Sequence, residues 1–229
     1  SVAGNGVFIM GFVPKQQVDA IVGYAVDQGL LRLSVLAPQD AYGAAVVESM
    51  KEATAELNVT MAQARFYDPS IADPSGDVKA IADYDRRRRA LLEQRAQLQR
   101  QQDEVSQQAL KRLEKRDTIG DVEFDALLLP DTGQKLRSLA SLLSYYDVDL
   151  PAVRLLGLRN WDEVANPETE PALLGAWFAA PSPSENERFR NRFEDAFGKM
   201  PARLASLAYD ATALAAVLAQ DAGDPRFGF

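Results

Sequence analysis

The feature that most limits the fold of this chain is its alternation of short apolar runs with stretches of helical periodicity. Val7–Met10 is a short apolar run, and Pro14 suits a first helical turn. Val18, Ile21, Val22, Ala25 and Val26 then recur at helical spacing, with Gly29 at the stop. Leu31–Leu36 reads as a strand buried on both faces, because only Arg32 and Ser34 break its apolar run. Pro38–Gly43 is a turn, a helix follows over about Ala44–Leu57, and Val59–Phe66 is a further strand. Asp68–Gly76 is loop, in which Asp73-Pro74 suits a cap and first turn. Beyond a long polar helical stretch from Asp77 to Arg116, Phe124–Leu129 is a strand, Gly133–Leu143 a helix and Val153–Leu156 a strand. Leu173–Phe178 is the last strand. Ser184-x-x-Glu187 forms a capping box ahead of a helix carrying Phe189, Phe193 and Phe197, and Leu204–Leu218 is the final helix. Strands alternating with helices of this length predict βαβ units, hence an α/β fold with a parallel sheet.

The polar stretch is the odd segment. Residues 83–116 hold ten basic against six acidic residues, a net of +4, which leaves −12 for the rest of a chain whose total is −8. Ile81, Tyr84, Leu91, Leu98, Val105 and Ala109 fall on a 3–4 spacing interrupted by Arg88, Arg95 and Gln102, too sparse a stripe for a coiled coil. It suits one helix or a bent pair, either as a solvated excursion or as a partner-docking arm.

Composition removes most chemistry. With no cysteine and no histidine among 229 residues, disulfides, Cys/His zinc sites, thiol nucleophiles and imidazole-based triads are all excluded. Only carboxylate-bound metals remain conceivable, and no cofactor or metal is expected. The net charge and the lack of aromatics interleaved with the Arg86–Arg89 cluster disfavour nucleic acid. No apolar run reaches the length of a membrane span. Asp131-Thr132-Gly133 matches the triplet of aspartic proteases, but a second triplet is missing and a helix N-cap explains it better. Gly4-Asn5-Gly6 lacks the third Rossmann glycine, Gly133-Gln134-Lys135 lacks the upstream P-loop glycine, and no S-x-x-K occurs. The acidic pairs Asp162/Glu163 and Glu168/Glu170 read as solvated loop. No enzyme signature survives.

In an open parallel sheet, ligands sit outside the carboxyl ends of the strands. Three loops follow strands directly: Gln39–Gly43, Asp131–Thr132 and Leu158–Trp161. They offer Asp40, Tyr42, Asp131, Thr132, Arg159, Asn160 and Trp161, a mix of aromatic faces and hydrogen-bonding groups suited to a small polar ligand. Each also has a bland role: Tyr42 bracing a turn, Asp40 capping a helix, Trp161 plugging a core edge.

Gln28-Gly29, the strand Leu31–Leu36 and then Pro38-Gln39-Asp40-Ala41-Tyr42-Gly43 resemble the type I periplasmic binding proteins of the leucine/isoleucine/valine class. So do Phe124-Asp125-Ala126-Leu127-Leu128-Leu129-Pro130 with Gly133-x-x-Leu136, and Leu155-Leu156-Gly157 with Trp161. Phe189, Phe193, Phe197-Gly198, Pro201 and Ala208-Tyr209-Asp210-Ala211 are similar to the closing helices of that fold. The Arg-rich insertion narrows the resemblance to its LppC-like branch, the lipoprotein activators of penicillin-binding proteins, and departs from ordinary uptake receptors.

The resemblance implies a parallel-sheet lobe with flanking helices plus part of a second lobe and a long charged helical insertion. Residues 1–12 would be the first crossover, with its strand at Val7–Phe12. Residues 13–171 would be the second lobe with the insertion at 77–116. Residues 172–229 would be the return crossover, at Leu173–Ala180, and helices of an incomplete first lobe. The chain would be non-enzymatic and would bind an amino-acid-like molecule in an inter-lobe cleft, as the substrate-binding component of an ABC transporter. Tyr42 matches a ligand-contact position of that family, and Asp131 falls near another that is often aromatic. The partners implied are a membrane permease or, in the alternative, a penicillin-binding protein. The location implied is the periplasm, as an outer-membrane lipoprotein if an N-terminal anchor precedes Ser1.

Overall fold

The computed structural model describes residues 11, 13–101, 103–161, 170–202 and 205–220. The chain divides into two compact units, Pro14–Ala180 and residues 1–13 with 181–229. The strand expected at Val7–Met10 lies outside the described residues.

In the larger unit, α1 (Pro14–Asp27), β1 (Arg32–Pro38), α2 (Ala41–Glu56) and β2 (Thr60–Tyr67) come first. Next are α3 (Ser75–Ile81), α4 (Tyr84–Gln101) and α5 (Glu104–Leu113), then β3 (Ala126–Leu128), α6 (Gly133–Tyr145), β4 (Arg154–Gly157) and β5 (Trp177–Phe178). The strands form one sheet in the order β2-β1-β3-β4-β5, every neighbouring pair parallel. The predicted α/β class and parallel sheet are therefore what the chain forms.

Alternation along the strands splits the core into two layers. Leu33, Val35, Ala37, Ala126, Leu128 and Leu156 pack with Val18, Ile21 and Val22 of α1 and Val46, Val47 and Met50 of α2. Leu36, Leu127, Leu129 and Leu155 pack with Val78 and Ile81 of α3 and Leu136, Leu139 and Leu143 of α6. The β1–β2 register shifts between Leu33 and Ser34, and the buried Ser34 Oγ accepts the Gln63 amide there, 3.1 Å away. At the amino edge of the sheet, Asp125 accepts the Leu31 and Arg32 amides at 3.1 and 3.0 Å and pairs with the Arg32 guanidinium. Burial works against this carboxylate, but those donors outweigh it and hold its pKa below the ordinary value.

Several boundaries depart from expectation for local reasons. Helix α2 starts at Ala41 rather than Ala44, because Asp40 is its N-cap. The polar stretch is three helices rather than one or two. It breaks at Asp83, whose φ is +48°, and again ahead of Asp103, which caps α5. Val105, expected on the apolar stripe, is 78% exposed. The strand expected over Leu173–Phe178 keeps only its last two residues, because Pro171–Leu173 form a 3-10 turn and Gly175 takes a φ of +75°. This strand, in the segment expected as the return crossover, pairs with β4.

In the smaller unit, α7 (Pro183–Phe197) and α8 (Ala205–Gln220) share an aromatic cluster. Phe189 lies 5.9 Å from Phe193 and 5.5 Å from Tyr209. The capping box expected at Ser184 does not form: Ser182 is the N-cap residue, makes no side-chain cap bond, and exchanges a hydroxyl hydrogen bond with Ser184.

Candidate functional site

Strand order locates the site. The chain leaves β1 towards β2 on one side and leaves β3 towards β4 on the other, so β1 and β3 flank the point where the winding reverses. Loops beyond the carboxyl ends of such a pair diverge and leave a crevice. The two loops are residues 39–40 and 129–132.

On the β1 side, the Gln39 amide donates to the Tyr67 carbonyl at the end of β2, which pins the loop. Asp40 Oδ1 accepts the Gly43 amide at 2.7 Å and so caps α2. Gly43 is dictated by close approach: a Cβ there would lie 1.9 Å from the Pro38 carbonyl oxygen. This turn leaves Tyr42 on the first turn of α2, 38% exposed. Its phenol pKa is raised by burial first, and then by the carboxylates of Asp131 and Asp40. The β1 and β3 loops thus bring Asp40, Tyr42 and Asp131 into one electrostatic neighbourhood.

On the β3 side, Asp131 Oδ1 accepts the Thr132 amide at 2.7 Å. Burial raises the Asp131 pKa and Asp40 adds to the rise, while the Thr132 amide and Lys135 oppose it. Thr132 is the N-cap residue of α6, yet its hydroxyl does not cap. It donates to the Asn160 carbonyl at 3.0 Å and ties the β3 loop to the β4 loop. Asn160 Oδ1 is buried and has no hydrogen-bond partner among the described residues. The Arg159 amide donates to Gln17 Oε1 at 2.9 Å, so α1 braces the same loop.

Trp161 corrects the sequence-based expectation. It is fully buried, its indole N–H donates to the Leu129 carbonyl at 3.0 Å, and its ring covers Gly157, where a Cβ would sit 2.1 Å away. It belongs to the core of this unit, with no surface exposed, and it holds the β4 loop against the end of β3. Lys135, weighed in the sequence only as a P-loop lysine, sits beside the rim. Its Nζ donates to the Ile71 carbonyl at 2.7 Å and lies 5.8 Å from the Tyr67 ring centre. It also stabilises the charged forms of Asp131 and Asp68. Its position one helical turn after Asp131 was the available signal.

The rim therefore presents a half-exposed phenol, two carboxylates, a hydroxyl and an amide. Such a set can orient a small polar molecule by hydrogen bonds. Among the described residues no group of three metal-ligating side chains comes together.

A family model described as "periplasmic binding protein" matches residues 2–227. No curated protein matches the chain. Among solved structures, an ABC-transporter solute-binding protein of R. palustris in complex with benzoate is 14% identical. It aligns over 86% of this chain and 45% of its own, with a TM-score of 0.53. A branched-chain amino acid ABC transporter periplasmic ligand-binding protein of Burkholderia xenovorans LB400 is 12% identical, over 88% and 46%, with a TM-score of 0.51. A solute-binding protein of Rhodopseudomonas palustris BisB5 in complex with 3,4-dihydroxybenzoic acid is 14% identical, over 88% and 47%, with a TM-score of 0.51. The chain spans less than half the length of each.

Proposed function

Because the chain belongs to the periplasmic binding protein family, we propose that the unit Pro14–Ala180 is the second lobe of a type I binding protein and supplies one rim of its ligand cleft. The ligand is an amino-acid-like small molecule. Tyr42 packs on it or hydrogen-bonds to it, and Asp131 or Thr132 takes its polar end, with Asp40 and Asn160 shaping the rim. The protein works without covalent chemistry, in the periplasm, and delivers the ligand to a membrane permease. The observation that carries this reading is the convergence of Tyr42 and Asp131 from loops on opposite sides of the sheet's reversal point.

Calorimetry of the intact protein against the amino acids and short peptides tests it. One of these should bind, and Tyr42→Ala should weaken that binding about tenfold, the equivalent of roughly 1.4 kcal/mol. No heat from any of them with a folded sample overturns the reading.

A second reading is favoured by the α4–α5 insertion between β2 and β3. In it the fold is a lipoprotein scaffold that activates a penicillin-binding protein, and the rim is a relic. Direct pull-down of a purified penicillin-binding protein, in the absence of small molecules, separates it from the first.

A further inference from the structure

The basic residues of the insertion fall into two groups. The first is engaged inside the fold. Arg87 is buried and donates to four backbone carbonyls. Arg95 donates to the carbonyls of Leu113 and Arg116, and Arg88 bonds Asp117 and the Tyr84 hydroxyl. Arg86 pairs with Asp83, and Arg89 donates to the Asp85 carbonyl. The side chains of Arg100, Lys111, Arg112, Lys115 and Arg116 form the second group. All are exposed, and none has a hydrogen bond or ion pair among the described residues.

Four of these five lie within six residues, on the last turn of α5 and the segment just after it. The engaged arginines hold that segment in place: Arg95 ties the 113–116 backbone to α4, and Arg88 ties down Asp117. The result is a backbone-anchored cationic patch, four basic residues against the single carboxylate of Glu114, on a chain of net charge −8. Unpaired cations carried on an anchored backbone segment attract anions against the field of an otherwise acidic chain.

The anion's nature follows from what the patch lacks. A helix that lies on a lipid surface needs a free apolar face. The apolar residues Ala109, Leu110 and Leu113 of α5 are instead half-buried in the hairpin, and Val105 alone stands well exposed. A nucleic-acid partner is disfavoured by the chain's net charge of −8, and α5 carries no aromatic on which a base could stack. We propose that Lys111, Arg112, Lys115 and Arg116 form a docking patch for an acidic segment of a protein partner. This patch is independent of whichever small molecule the rim holds.

The test uses the full chain and a fluorescent 20-residue polyglutamate peptide as probe, followed by anisotropy at 50 mM salt. The wild-type protein, despite its own negative charge, should bind the peptide. The variant K111Q/R112Q/K115Q/R116Q should bind at least tenfold more weakly with an unchanged melting temperature, and K51Q/K199Q should bind like wild type. Should the fourfold variant melt early, the pairs K111Q/R112Q and K115Q/R116Q are each expected to lose at least threefold. Equal binding by wild type and the patch variants, no binding by wild type, or binding to phosphatidylglycerol vesicles without binding to the peptide overturns the proposal.

Discussion

Asp131 sits where its charge is unwelcome. Burial raises its pKa in the folded protein, so the folded state favours the protonated form relative to the unfolded chain. Above the folded pKa the buried charge opposes folding, and below the ordinary carboxylate range the penalty vanishes. Asp131→Asn keeps an oxygen for the Thr132 amide and removes the charge. Its melting temperature should exceed that of wild type at pH 7, and the two should converge as the pH falls towards 3. Melts across that range check this, and a less stable variant at neutral pH contradicts it. A stability cost retained on a loop rim is the expected mark of a group kept for binding. Gly157 is the converse case, in which packing alone decides. Gly157→Ala would drive a methyl to 2.1 Å from the Trp161 ring. It should destabilise by about 3 kcal/mol, the upper end of the overpacking range, as read from urea midpoints. The placement of Tyr42 and Asp131 beside the ends of β1 and β3 was legible in the sequence because strand-end loops can be counted. The burial of Trp161 was not, because a large aromatic after a strand suits a ligand face or a core plug equally well. Only the neighbouring Gly157, with its missing side chain, signals the plug.

At the scale of elements, Arg87 shows what a charge run conceals. Four consecutive arginines, 86–89, read as a solvated face. Successive helical residues turn by 100°, however, so the run spreads around α4 and one member must point inward. Leu91, four residues on and 1% exposed, marks that direction. The Arg87 guanidinium reaches the Gly120 carbonyl at 3.0 Å, Tyr146 at 3.2 Å, Asp147 at 3.3 Å and Ala82 at 3.4 Å. It thereby joins the start of α4 to the end of α3, the end of α6 and the return loop. Burial lowers its pKa, but the guanidinium stays charged. Arg87→Met keeps much of the volume and leaves those carbonyls unpaired. It should cost about 3 kcal/mol, lowering the melting temperature by roughly 6–12 °C for a protein of this size. A shift under 2 °C would show that water takes over the carbonyls. The strands β1 to β4 and the helices α1, α2 and α6 were readable from apolar period alone. The breaks at Asp83 and Asp103 were not, since both depend on one residue's backbone geometry rather than on periodicity.

For the whole molecule, the question is whether the insertion belongs to the lobe or only rides on it. Its base is lobe: Arg87 and Leu91 are buried in the unit, and Thr118 and Val122 are buried where the chain returns. Beyond Leu91, α4 has no fully buried residue, and in α5 only Ser106 is buried, held by Asp103 and Gln101 of the hairpin itself. Packed helices lie about 8–10 Å apart, a gap that three or four residues of Gly/Ser can bridge. Replacing 94–112 by such a bridge should therefore leave the melting temperature within about 3 °C of the parent. Replacing 86–115, which removes Arg87 and Leu91, should leave no cooperative transition. Ligand affinity in the shorter excision then discriminates between the functional readings. The rim residues Asp40, Tyr42, Asp131, Thr132 and Asn160 lie on or beside the loops after β1, β3 and β4, whereas the insertion leaves from the end of α3, where Arg87 ties it to the end of α6, the helix that starts at the rim residue Thr132. A receptor that only delivers a small molecule should bind it unchanged without residues 94–112. A scaffold that acts through the hairpin should keep its fold and any ligand affinity yet lose its protein partner. Loss of small-molecule binding in a well-folded excision would contradict both, because it would place the hairpin within the cleft.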